Sequence, residues 1–216
     1  GSADVALVAA WLQRPDVSAT IARVALKGNF PCGRIRQIRH GKICKDGDGR
    51  APWLPGKEFD GWNMLCESFS KSSTLTDLDL SDCYLGPQAL TPLAKAISSM
   101  ATVTSMNCLN NPLGEGVNEL IKVFEETPRL RTLCGLEEGV QHIDWSKAGK
   151  GPADVVLLSA ELKAGRAGAT LTSICLLNNP LGEGVSEIIK VFEETPRLRT
   201  LCGLEEGVEQ IDWADS

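Results

Sequence analysis

Apolar residues recur along this chain in a short pattern that repeats several times. At 75–86, apolar side chains occupy the first, fourth, sixth and eleventh positions, cysteine the ninth and glycine the twelfth. The same spacing returns at 103–114 and 171–182 with asparagine in ninth place, and weaker copies begin at Ile21 and Val140. Since alternate residues of a strand face opposite sides, each copy predicts a short strand with its apolar residues in a core. The side chain at position nine is expected to turn inward and bond the backbone of the turn.

Between these segments the apolar spacing changes to i, i+3, i+4, i+7, which is one face of a helix. Four such stripes stand out: Trp62/Leu65/Cys66/Phe69, Leu90/Leu93/Ala94/Ile97, Val117/Leu120/Ile121/Phe124 and Val185/Ile188/Ile189/Phe192. Pro128 and Pro196 follow the last two stripes and predict the ends of those helices. One strand–helix unit cannot bury its apolar face alone, so the pattern predicts stacked units that share a core.

Part of the chain is duplicated. The blocks 102–147 and 170–215 are nearly identical, and 110–147 differs from 178–215 at six of 38 positions. A weaker similarity relates 3–24 to 153–174, which are identical at eight positions. Both ends therefore look open to a longer array. A single active site is an awkward hypothesis for such a chain, because the chain would carry that site twice.

The twelve-residue pattern resembles the ribonuclease-inhibitor subfamily of leucine-rich repeats, which NOD-like receptors and the Ran GTPase-activating protein share. The segment LRTLCGLEEGVQHIDW is also similar to repeat proteins of unicellular algae and other protists. The resemblance covers nearly the whole chain. It implies a right-handed α/β solenoid, a short horseshoe with a parallel sheet on its concave side, helices on its convex side, and protein recognition by the concave face. We expect one domain over 3–216, with residues 1–2 left from an expression tag.

Two segments depart from the repeat. Leu130 and Val140 both begin strand-like patterns only ten residues apart, whereas a parallel crossover needs about a dozen or more. One of the two is therefore expected in a protruding loop or hairpin. The segment 44–61 is rich in Gly and Pro and predicts a loop insertion. Its apolar residues Trp53 and Leu54 are either a contact site or a cover for the flank of the solenoid.

Charge and cysteine usage narrow the class of protein. The net charge of −6 disfavours nucleic-acid binding, and no apolar run is long enough for a membrane span. The eight cysteines form no Cys-x-x-Cys pair, which favours reduced thiols and a cytoplasmic location. Asp46-Gly-Asp48 lacks further calcium ligands, and the spacing of Cys32, His40 and Cys44 fits no metal site. We expect no cofactor, no metal and no catalytic residue.

The remaining candidate is the concave face. Positions three, five, seven and eight of the pattern are expected to point into it. The candidate partner-binding residues are Asp77, Asp79, Ser81, Asp82, Ser105, Asn107, Ser173 and Cys175. The leading hypothesis is a non-catalytic scaffold that binds a protein partner. The alternatives are a regulatory or sensor segment of a larger receptor, a regulator like a GTPase-activating protein, and a spacer between domains. Exposed solenoid ends need capping, so an end-to-end homodimer is also expected.

Overall fold

The computed structural model describes residues 2–36, 38–39, 42–43 and 53–204, with side chains at 3–34 and 54–204. The helices in this part of the chain are α1 (Ser2–Leu12), α2 (Pro15–Ser18), α3 (Asp60–Lys71), α4 (Pro87–Ser99), α5 (Val117–Glu126), α6 (Pro152–Ala164) and α7 (Gly184–Glu193). The strands are β1 (Arg23–Ala25), β2 (Arg34–Arg36), β3 (Ile38–Arg39), β4 (Lys42–Ile43), β5 (Trp53–Pro55), β6 (Asp77–Asp79), β7 (Ser105–Asn107), β8 (His142–Asp144) and β9 (Ser173–Cys175). The chain has a mixed α/β fold with short parallel strands.

Three of the predicted strand patterns lie side by side. Strands β1, β6 and β7 form a parallel sheet in that order, with Val24, Leu78 and Met106 in register. Leu78 and Met106 are buried, while the residues on either side of each are only partly buried. The alternation follows from the two-residue period of a strand, which turns every second side chain toward the core.

The segment 130–134 continues this sheet beyond β7. The Met106 N–H donates to the Thr132 carbonyl at 3.0 Å, and the Cys108 N–H donates to the Leu133 carbonyl at 2.9 Å. Gly135 has φ +68°, a left-handed conformation that glycine adopts without steric cost. The chain turns there and leaves the sheet.

A second parallel sheet contains β8 and β9, with Ile143 and Ile174 in register. The segment 198–202 runs along β9 as 130–134 runs along β7, since Ser173 bridges Thr200 in parallel. The ten-residue step is thereby explained: 130–134 pairs with β7, whereas β8 pairs with β9. The prediction that one segment forms a protruding loop or hairpin is wrong, because each lies along a different sheet.

Part of the predicted loop at 44–61 forms regular secondary structure. Strand β5 pairs antiparallel with β2, with Leu54 opposite Ile35, and α3 already begins at Asp60. Gly56 allows the close approach that follows, because a Cβ there would lie 1.9 Å from the Cys32 carbonyl oxygen. Residues 44–52 lie outside the described residues.

The helices pack in succession, α1 on α3, then α4, α5, α6 and α7. The predicted apolar stripes of α3 and α4 are buried, and the Trp62 indole N–H donates to the Ala89 carbonyl at 2.8 Å between these two helices. Most of the α5 stripe is buried as well. The stripe of α7 is different, because Val185 and Ile189 are exposed although the same residue types in α5 are covered. No helix among the described residues has the length and apolarity to cross a membrane.

Candidate functional site

The face of the first sheet that points away from the core carries four of the predicted residues in two rows. Asp77 is in register with Ser105, and Asp79 is in register with Asn107. Because Leu78 lies between the two aspartates and points into the core, the four polar side chains share the opposite face. The Asp77 carboxylate also meets the guanidinium of Arg23 on β1, with Nε 3.4 Å from Oδ1.

Asp79 is partly used to hold its own turn. Its Oδ1 accepts hydrogen bonds from the Ser81 hydroxyl at 2.7 Å and from the Ser81 N–H at 3.1 Å, as aspartate commonly does two residues before a turn. Ser81 is 2% exposed. The prediction that Ser81 points into an open face is therefore wrong, because its hydroxyl turns back to Asp79. Asp82 follows with φ +57° and is half-buried.

Asn107 repeats the same arrangement one unit later, since its Oδ1 accepts from the Leu109 N–H at 3.1 Å. Within the described residues, no turn hydrogen bond uses the side chain of Asp77 or Ser105. These two neighbouring side chains can consequently meet another molecule without disturbing a turn.

Ser173 and Cys175 belong to the second sheet. Ser173 lies in register with His142, and Cys175 with Asp144. His142 and Ser173 help to line a shallow cleft of about 320 Å³ near Arg199. The Cys175 thiol donates to the Cys202 carbonyl at 3.4 Å. Of the eight predicted residues, four lie on the first sheet, two lie in the turn after β6, and two lie on the second sheet.

The cysteines do not form a reactive cluster in the described residues. Burial raises the pKa of the Cys32 and Cys83 thiols to about 12, which disfavours the nucleophilic thiolate. Cys134 is buried at the edge of the first sheet, beside Asn107. No group of three metal-ligating side chains occurs within the part of the chain that the structure describes. His40, Cys44, Asp46 and Asp48 lie outside that part.

The predicted apolar contact at 53–54 is described in part. Leu54 is 36% exposed, and the Trp53 side chain lies outside the described residues. Next to them, Pro55 packs so closely on Gly86 that a Cβ at that glycine would lie 2.8 Å from the Pro55 Cβ. Pro55 therefore packs against the residue that precedes α4, whereas Leu54 is exposed.

Sequence reasoning missed the buried carboxylate of Glu161. Its Oε1 accepts from the Thr132 hydroxyl at 2.7 Å, from the Cys134 N–H at 2.6 Å and from the Leu133 N–H. Desolvation raises the pKa of Glu161 above its ordinary value, although these hydrogen bonds act in the opposite direction. A charged residue on a helix usually faces water, so nothing in the local sequence marked this position.

Asn111 shows why position nine is polar. Its amide oxygen accepts from the Cys83 and Leu85 N–H groups, each at 3.0 Å. Its amide nitrogen donates to the Leu80 carbonyl at 2.8 Å and to the Cys108 carbonyl at 3.0 Å. This buried amide bonds the backbone of its own turn, as the repeat pattern predicted, and it also bonds the turn of the preceding unit.

No family model matches this chain, and no curated protein matches it. Among solved structures it is similar to one described as leiomodin-1 actin-binding site 2, with a TM-score of 0.40 and 12% sequence identity over 89% of this chain and 88% of that chain.

Proposed function

We propose that the chain is a leucine-rich-repeat solenoid that binds a protein partner through the concave face of its parallel strands and has no catalytic role. Support for the repeat assignment comes from three parallel strands in register and from Asn111, which joins the turns of neighbouring units. A solenoid of this kind presents one side of its strand layer as a continuous binding surface.

The observation that carries the proposal is the outward row across the first sheet. Arg23, Asp77 and Ser105 lie in register on adjacent strands. The Arg23–Asp77 pair is partly exposed, so it is worth little to stability and is available to exchange partners. A protein surface with hydrogen-bond donors or basic side chains would complement Asp77, Asp79 and the half-buried Asp82.

Affinity capture from the source cell followed by mass spectrometry tests this proposal. The informative variant combines Asp77→Lys with Ser105→Lys, which changes the outward row without removing a turn hydrogen bond. The matched control combines Asn118→Lys with Glu126→Lys, both exposed on α5, and changes the net charge by the same amount.

A partner retained by the wild type and the control but lost with the outward-row variant is the expected result. Loss of the partner with both variants would indicate a response to overall charge alone. Retention by both variants would place the binding site elsewhere. Either of these two results would contradict binding through the concave face.

A further inference from the structure

Two nearly identical segments of the chain have different surroundings. Val117 of α5 is 7% exposed, whereas its counterpart Val185 of α7 is 38% exposed. Leu133 is fully buried, whereas its counterpart Leu201 is only partly buried. Because the local sequences match, the difference must come from what packs on each segment.

Helix α6 is what covers the first segment. It packs against α5, its Leu157 is fully buried, and its Glu161 bonds the Cys134 N–H at the sheet edge. Just beyond the helix, the Arg166 guanidinium donates to the Phe124 carbonyl at 2.7 Å. The internal junction therefore shows what kind of helix fits this surface.

Among the described residues, the same surface of the second segment is an open apolar groove. Its volume is about 560 Å³, and it lies between α7 and 198–202. Its apolar lining includes Leu177, Leu181, Val185, Ile189, Phe192 and Leu201. Ile189 is 45% exposed, so the groove presents a contiguous apolar surface, which commonly marks an interaction site.

Helix α1 is the counterpart of α6. The alignment of 3–24 with 153–174 places Leu7 at the position of Leu157 and Trp11 at the position of Glu161. The inner side of α1 packs on α3, as α6 packs on α7. Its outer side is open, since Leu7 is 72% exposed and Trp11 is 50% exposed. In α6, the corresponding residues Leu157 and Glu161 are both buried.

We propose that the chain associates head to tail with a second copy of itself, so that α1 of one copy packs in the groove of α7 and 198–202 of the next. The structure describes six large exposed apolar side chains, and four of them lie on these two surfaces. The internal packing of α6 on α5 provides the geometry for the contact between copies. This proposal is independent of the strand face and its partner.

The contact between copies is more apolar than the internal junction. In the alignment, Trp11 takes the position of Glu161, and Asp16 takes the position of Arg166. Arg166 donates hydrogen bonds to carbonyl groups at the end of α5. The polar caps are therefore not reproduced, and burial of Leu7, Trp11, Val185 and Ile189 supplies the attraction. We expect the association to be weak and nearly independent of salt. A head-to-tail contact uses two different surfaces, so it leads to open chains or rings.

Sedimentation equilibrium over a wide concentration range tests the proposal. The mass of the wild type should rise with concentration from the 23.2 kDa of one chain past the mass of two chains. Leu7→Lys and Ile189→Lys should each remain monomeric, because each removes one of the two surfaces. Both side chains are already exposed, so the fold should persist in circular dichroism.

Mixing the two variants gives the decisive measurement. Each retains the surface that the other has lost, so an equimolar mixture should form dimers and nothing larger. Met64→Lys is the matched control, because Met64 is 40% exposed on α3, outside both surfaces, and this variant should associate like the wild type. A monomeric wild type, self-association of either end variant, or a monomeric mixture would overturn the proposal.

Discussion

At the scale of single residues, polar side chains hold this structure together from inside. Asn111 and its counterpart Asn179 occupy the same position in two nearly identical blocks, but Asn111 is buried while Asn179 is partly exposed. Asn179 accepts from the Lys150 N–H at 2.8 Å and donates to the Trp145 carbonyl at 2.7 Å. Because both residues are asparagine, a comparison of their contributions to stability isolates the effect of burial.

Replacing Asn111 with alanine should lower the free energy of unfolding by about 2–4 kcal/mol, because several buried backbone groups lose their partner at once. Asn179→Ala should cost less, since water reaches the groups left behind. Guanidinium unfolding of both variants gives the measurement. Asn118→Ala on the exposed side of α5 is the control and should change stability by less than about 0.5 kcal/mol. Equal losses at positions 111 and 179 would contradict the role of burial.

At the scale of secondary-structure elements, the junction of α6 with 130–134 depends on a carboxylate whose ionised form is disfavoured by burial. The pKa of Glu161 is raised, so the native state binds more protons than the unfolded chain above the unfolded value of about 4.3. The free energy of unfolding from this group falls as pH rises through the window from that value to the folded pKa.

Glu161→Gln should remove that loss while keeping an amide oxygen for the edge N–H groups. The stability of the variant relative to the wild type should therefore increase with pH across the same window, in unfolding experiments at a series of pH values. Glu187 is the control of opposite sign, because its ion pair with Lys163 lowers its pKa. The contribution of Glu187 to the free energy of unfolding is therefore present above its unfolded pKa and is lost as pH falls. A Glu161→Gln difference that does not change with pH would contradict this account.

Most elements of the fold could be predicted from the sequence, because the apolar spacing of the strands and helices is local. Strand β6 and helix α3 lie where their patterns placed them. The break between the two sheets was not predictable, because it depends on which strand each of 130–134 and β8 selects as its neighbour. The burial of Glu161 was missed for a related reason, since its partners at 132–134 lie far away in the sequence. The burial of Ser81 was missed because its hydroxyl bonds the Asp79 side chain, which the strand pattern places on the outward face.

At the scale of the whole molecule, the duplication makes the second block an internal control for the first. The segments 123–140 and 191–208 have the same sequence, so the intrinsic exchange rates of their amides are the same. Only the first segment is covered by a following helix in the described structure. Differences in protection therefore report tertiary packing alone.

Amide exchange should be faster in α7 and 198–202 than in α5 and 130–134 at low protein concentration. NMR is the suitable method, because peptides from these identical stretches cannot be told apart by mass. If α1 of a second copy fills the groove, protection at Leu201 should rise with concentration while protection at Leu133 stays constant, since Leu133 is already buried. Ile189→Lys should abolish the concentration dependence. Equal protection of the two segments at low concentration would show that α6 does not stabilise the block it covers.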